Sequence, residues 1–178
     1  MRLQQAVVYP WRRWVRLVWI GWVLHAAAMV PTGFAGETTN QLAHLYFADV
    51  TRPFLVAEAR VVIDPGDAAA FGRQLVAELI AGSKRGYLAT LPKGTQLRSF
   101  FLLEDGTAVV DFSVHLRENH PGGCRLEQLT LFSVVNSLIL NVDGIDRVKI
   151  LIDGMEAQAL TGHLPLDFPF TADMLLTR

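Results

Sequence analysis

Two histidines and one cysteine lie close together in the chain and could in principle bind a metal ion. His115, His120 and Cys124 lie within or beside the segment 116–123, and imidazole and thiolate are ligands that zinc prefers. With a histidine as base, Cys124 could alternatively act as a nucleophile. Their spacing matches no compact zinc-binding motif, and the residues between them are typical of a surface loop. We keep a small metal-dependent hydrolase as the alternative hypothesis and predict no metal and no cofactor.

Four aspartates could be paired for acid–base chemistry, namely Asp105, Asp111, Asp143 and Asp153. Each is predicted to lie at a turn or a strand end, where an aspartate accepts hydrogen bonds from backbone N–H groups. The chain contains no Walker or dinucleotide phosphate-binding motif, no Gly-x-Ser-x-Gly and no His-Glu-x-x-His. We therefore predict a protein that is not an enzyme.

The candidate binding residues are Glu127, Asn136 and Ser137 on one predicted helix, together with Asp111 in a predicted strand. Glu127 falls in the first helical turn, where its charge suits the helix dipole. Asn136 interrupts an aliphatic stretch, and a buried amide must have its hydrogen bonds satisfied. We favour a structural polar network for Glu127, Asn136 and Ser137 and a backbone-binding role for Asp111, with ligand binding as the alternative.

The helix that carries them is the most regular pattern in the chain. Its apolar residues recur at three- and four-residue steps: Leu131, Val134, Val135, Leu138 and Val142. Polar residues, including Thr130, Ser133 and Asn141, fall on the other side, so one face is predicted to be buried. Asp143-Gly144 ends the helix, and a strand with alternating β-branched residues follows from Val148 to Ile152 before the turn Asp153-Gly154.

The remaining elements indicate an α+β domain. Strands are predicted over 42–49 and 54–63, with Glu58 and Arg60 pointing to solvent. Asp67 caps a helix that ends at Gly82, and the segments 96–103 and 107–113 flank a hairpin turn. Each helix has one apolar stripe, so we predict a mixed or antiparallel sheet of about five or six strands with two helices packed on one face.

Composition limits the possible classes of function. The chain has 178 residues, of which 51% are hydrophobic, which suits a single globular domain. Its 16 Lys and Arg against 17 Asp and Glu give a formal net charge of −1. No basic stripe lies outside the extreme N-terminus, so nucleic acid is not an expected partner.

The N-terminal residues predict export. Four arginines precede the apolar run 17–30, and Pro31 to Ala35 supplies small residues at a possible cleavage site. The run is shorter than the roughly 20 residues of a membrane-spanning helix. We assign residues 1–35 to a signal peptide or signal anchor, favouring the cleaved form, then 36–41 to a linker and 42–178 to the domain.

The chain from Leu45 to Gly154 resembles the GerMN domain family, named for a sporulation and germination protein. The matching residues are Leu45-Tyr46-Phe47, Asp49, Leu55-Val56, Glu58, Arg60, Leu75, Leu79, Leu91-Pro92, Gly94-Thr95, Gly106, Ala108 to Ser113, Glu127, Ser133 to Leu138, and Val148 to Gly154. The resemblance implies an arrangement similar to the ring-building motif of cell-envelope assemblies.

Together these observations predict an exported, non-catalytic binding or assembly module of the cell envelope. It is expected in the periplasm or elsewhere outside the cytoplasm, and its expected partners are another envelope protein, peptidoglycan, or further copies of itself in a homo-oligomer. Contact with a membrane is expected only through residues 1–35, if they are retained.

Overall fold

The computed structural model describes residues 38–178, so the predicted export segment 1–35 lies outside the described residues. The elements are β1 Thr39–Ala48, β2 Leu55–Asp64, α1 Ala68–Ala81, β3 Leu97–Leu102, β4 Thr107–Phe112, α2 His115–Glu118, α3 Cys124–Ile139, β5 Arg147–Ile152 and a 3₁₀ turn Met174–Leu176. None of the helices in this part of the chain has the length and apolar character needed to cross a membrane.

The strands form two sheets, and the α+β class is confirmed. One sheet is the antiparallel pair β1–β2, and the other has the order β3-β4-β5. In the second sheet β3 and β4 are antiparallel, as the predicted hairpin requires, whereas β4 and β5 are parallel. The strands thus form two sheets instead of the single sheet expected. The reason is that α3 packs along the edge of β1, where a further strand would otherwise pair.

The two long helices pack on the sheets around one main core. On α1 the buried residues Phe71, Leu75 and Leu79 recur at helical spacing, and Asp67 caps the helix by accepting a hydrogen bond of 2.7 Å from the Ala70 N–H. α3 begins three residues before Glu127, at Cys124. The segment after Gly154 is mostly irregular, yet it contributes buried leucines to the core.

Glu58 and Arg60 do not point to solvent, which corrects the prediction made from strand alternation. Their side chains form an ion pair and are only 2% and 5% exposed. Arg60 also donates to the carbonyls of Glu78 (3.2 Å) and Gly82 (3.1 Å) at the end of α1. The face of β2 that carries both charges is covered by this helix end, whose free carbonyls attract a cation.

Candidate functional site

The polar side of α3 is buried against the edge of β1. Ser137 Oγ accepts a hydrogen bond of 3.0 Å from the Tyr46 N–H, and Ser133 Oγ donates to the Tyr46 carbonyl at 2.5 Å. One turn further on, Asn141 Oδ1 accepts from the His44 N–H (2.7 Å) and Asn141 Nδ2 donates to the His44 carbonyl (2.9 Å). Three side chains at four-residue spacing thus take the place of a neighbouring strand and cover this edge.

Glu127 connects α3 to the C-terminal segment. Its carboxylate has no exposed surface and accepts hydrogen bonds from the Leu160 N–H (3.1 Å), the Thr161 hydroxyl (2.7 Å) and His163 Nδ1 (3.0 Å). Burial by itself raises the pKa of Glu127, but hydrogen bonds from Thr161, Leu164 and His163 outweigh burial and lower the pKa to about 2. Glu127 is therefore a charged anchor for residues 160–164.

The other candidate residues contact different segments of the chain. Asn136 binds both main-chain groups of Asp173, donating to the carbonyl at 2.9 Å and accepting from the N–H at 3.0 Å. Asp111 accepts a hydrogen bond of 2.8 Å from the Gly154 N–H. Neither they nor Glu127 and Ser137 line three surface depressions in residues 38–178, of about 460, 210 and 140 Å³. The four side chains are hydrogen-bonded to different segments of the chain.

His115, His120 and Cys124 also do not form one site. His120 Nε2 is 3.0 Å from the Thr130 hydroxyl, and its Nδ1 accepts a hydrogen bond of 3.0 Å from the Gly122 N–H. Burial lowers the pKa of His120, while Cys124 is exposed at the start of α3. Within residues 38–178 no three His, Cys, Asp or Glu side chains are grouped as a metal ion would require. The geometry therefore gives the hydrolase hypothesis neither a metal site nor a base paired with the cysteine in this part of the chain.

Three exposed apolar side chains lie on the β1–β2 sheet, and we call them the outer patch: Leu42, Val61 and Ile63. These side chains are 59%, 65% and 59% exposed. Leu42 lies directly opposite Val61 in the β1–β2 register. Alternation along β2 correctly separates two faces, but it does not say which face is covered, so the sequence prediction placed the charged residues outside instead of these aliphatic ones.

A family model described as Germane, sporulation and spore germination, matches residues 44–158. The chain belongs to this family. No curated protein matches the chain. The resemblance to GerMN domains drawn from the sequence is thereby confirmed, and the two-sheet arrangement with its packed helices is a Germane fold.

Similar solved structures agree with this assignment. The tandem GerMN domains of the sporulation protein GerM from Bacillus subtilis match at 25% identity and TM-score 0.61, over 75% of this chain and 46% of that chain. A candidate lipoprotein from Clostridium perfringens matches at 25% identity and TM-score 0.54, over 76% and 88%. The first GerMN domain of GerM alone matches at 24% identity and TM-score 0.54, over 74% and 97%, and supports the fold.

Replacing Ser137 with alanine tests the helix-to-strand contact. The buried Tyr46 N–H would lose its acceptor, and we expect the free energy of unfolding to fall by about 1–3 kcal/mol. Urea denaturation measures this change. Ser99→Ala, at a half-exposed position on β3, is the matched control and should change stability by less than about 0.5 kcal/mol. Equal losses in the two variants would contradict a specific role for Ser137.

Proposed function

We propose that this Germane-family chain is an exported, non-catalytic binding module of the cell envelope, which contacts another envelope protein, peptidoglycan or a further copy of itself. The outer patch carries the proposal, because Leu42, Val61 and Ile63 are each more than half exposed on a regular sheet. Exposed apolar surface of this kind is characteristic of interaction sites.

The four polar candidate residues stabilise the fold and are not themselves the proposed binding surface. Glu127, Asn136, Ser137 and Asp111 each bind backbone groups of this chain, so their hydrogen-bonding capacity serves the fold. A contribution of these four residues to binding would then be indirect, through the shape of the surface they support.

The location outside the cytoplasm rests on the sequence of residues 1–35 and on the relatives. The basic, apolar and small-residue regions occur in the order of an export signal. Among the similar structures are a candidate lipoprotein and a sporulation protein. Both support a function at the envelope.

Site-specific photo-crosslinking in native cells tests the proposal. A photoreactive amino acid at Leu42 should give discrete crosslinked products in the envelope fraction, whereas the same residue at Glu104, in the exposed β3–β4 turn, should not. Wall fragments, another protein or a second copy would each appear as a different mass shift. Absence of products at Leu42, or recovery of the chain in the cytoplasm, would refute the proposal.

A further inference from the structure

The backbone groups along β2 alternate between the β1 side and the opposite side, and the contacts of β1 identify which residues face outward. Ala48 exchanges two main-chain hydrogen bonds with Leu88, at 3.2 and 3.0 Å, on the side of β1 away from β2. Its register partner Leu55 therefore also directs its backbone groups outward. The Leu55 carbonyl accepts a hydrogen bond of 3.0 Å from the Arg178 N–H, which agrees with this direction.

By the same alternation, Ala57, Ala59, Val61 and Ile63 direct their N–H and C=O groups outward from β2. Within residues 38–178 no hydrogen bond reaches these groups. Arg178 occupies the edge at one end, beside Leu55, and the strand stops at Asp64 at the other. We call the stretch between them, Ala57–Ile63, the open edge.

The open edge lacks most of the features that usually prevent strand pairing. Protected edges carry lysine, proline, a bulge, a covering element or inward-pointing charges, and only the last is present here, as the mutually neutralising pair Glu58 and Arg60. The open edge contains no lysine or proline, and β1 and β2 pair without a register shift. Its two charged side chains, Glu58 and Arg60, are buried on the inner face, while Val61 and Ile63 are exposed on the outer face. A straight edge with exposed β-branched residues favours a further strand.

We propose that a second copy of this chain pairs with the open edge, antiparallel and two-fold symmetric, with Ala59 opposite Ala59 of the partner subunit. This inference rests on the proposed function and names its partner. Ala57 would then face Val61 of the partner subunit, and each of the three pairs between 57 and 61 would exchange two main-chain hydrogen bonds. The two outer patches would lie on the same face of one four-stranded sheet.

Charge on the inner face selects this register. With Ala59 at the two-fold axis, Glu58 lies opposite Arg60 of the partner subunit, and the reverse pair forms by symmetry. A shift of two residues would place Glu58 opposite Glu58 of the partner subunit, or Arg60 opposite Arg60 of the partner subunit. Opposite charges directly across an antiparallel pair are favourable and like charges are not. An odd shift would direct the outward backbone groups of one copy at the inner groups of the other.

Arg178 limits how far the pairing extends. In this register Ile63 would face Leu55 of the partner subunit. The carbonyl of that leucine already accepts a hydrogen bond from the N–H of the partner's Arg178, as in this chain. Pairing is therefore confined to residues 57–61. The interface is short, and we expect it to form where copies are concentrated, as on a membrane or in an assembly.

Cysteine crosslinking of the full chain in isolated envelopes tests both the partner and the register. Exposed Cys124 is first replaced by serine, and Ala59→Cys is compared with Val61→Cys. The two copies of residue 59 would lie directly opposite each other with Cα atoms about 5.5 Å apart, within reach of a disulfide. Residue 61 would instead lie opposite residue 57 of the partner subunit, so two cysteines at position 61 would be too far apart. We expect mild oxidation to give at least about fivefold more disulfide-linked dimer for Ala59→Cys.

A proline variant shows whether main-chain pairing is responsible. Adding Val61→Pro to the Ala59→Cys chain removes an outward N–H but no bond to β1, and edge strands tolerate such a proline. The dimer should disappear, while Val61→Thr in the same background should retain it. Circular dichroism establishes that both variants are folded.

The outcomes separate this inference from the proposed function. No crosslink at either cysteine, or equal crosslinking at both, overturns the proposed pairing. A crosslink from Ala59→Cys to a different protein overturns the second copy as partner but leaves the proposed function in place. Photo-crosslinking at Leu42 without any envelope product, in contrast, refutes the proposed function itself.

Discussion

The chain with glutamine in place of Glu127 is expected to be about 3 kcal/mol less stable than the natural chain at neutral pH. One carboxylate oxygen accepts from the N–H groups of Leu160, Thr161 and Leu164, and the other accepts from Thr161 and His163. In glutamine an NH₂ group replaces one of the two oxygens. In either position this NH₂ group would face donors of the C-terminal segment and could not accept their hydrogen bonds. Urea denaturation measures the loss, and Glu104→Gln, in an exposed turn, should have almost no effect.

The pH dependence separates the charge of Glu127 from its shape. Its pKa is lowered in the folded chain from 4.5 to about 2. A lowered folded-state pKa contributes stability that is complete above the unfolded pKa and is lost as the pH falls toward the folded one. The difference in unfolding free energy between the natural chain and the Glu127→Gln variant should therefore shrink between pH 4.5 and 2. A difference that stays constant over this interval would contradict the charged anchor.

Hydrogen exchange locates the same effect within the chain. The amides of Leu160, Thr161, His163 and Leu164 donate to Glu127 in the folded chain. In the glutamine variant they should exchange faster, because the loop they fix opens locally. Amides in the middle of β4 should still exchange only through global unfolding of the chain. This difference distinguishes local opening of the loop from a general loss of stability.

The sequence predicts a polar network for Glu127 and Asn136 but does not identify their partners. Those partners lie between 160 and 173, in a segment that is mostly without regular structure, and periodicity carries no information there. A buried carboxylate can be satisfied by any converging set of N–H groups. Only the structure of the C-terminal segment shows which N–H groups converge on Glu127.

The elements themselves followed from the sequence because their signals are local. The Asp67 cap, the Glu104–Gly106 hairpin turn and the helical apolar stripes each depend on a few neighbouring residues. The division into two sheets depends instead on Ser133, Ser137 and Asn141, whose positions on the polar side of the helix do not identify β1 as their partner. Their role becomes visible only when α3 is seen lying along the edge of β1.

The error at Glu58 and Arg60 has the same origin. Two opposite charges at alternate strand positions usually mark a solvated face, since charged residues are rarely buried unless paired. Here the end of α1 and residues 83–85 cover that face and supply hydrogen-bond partners from the backbone. The burial of these charges therefore depends on a helix terminus that lies about twenty residues away in sequence.

Replacing Arg60 with methionine is expected to cost about 3–5 kcal/mol, because it leaves the buried Glu58 carboxylate without its cation. In the natural chain burial raises the pKa of Glu58, but hydrogen bonds from Ser83, Arg60 and Lys84 lower it to about 2. Without Arg60 the pKa of Glu58 should rise above about 2, so part of the loss should be relieved as the pH falls and the carboxyl group of the variant takes up a proton. Urea denaturation at pH 7 and pH 3 measures both effects, with Arg85→Met, on the exposed part of the following loop, as the control.

Arg60→Lys separates the geometry of the guanidinium from its charge. Arg60 Nη2 donates to Glu58 and to the Gly82 carbonyl at 3.1 Å, while Nη1 donates to the Glu78 carboxylate at 2.6 Å. A single ammonium group keeps the charge but cannot reproduce this planar fork. We expect the lysine variant to lie between the natural chain and Arg60→Met. If lysine restored full stability, the charge alone would suffice, and the contacts with the end of α1 would contribute nothing measurable.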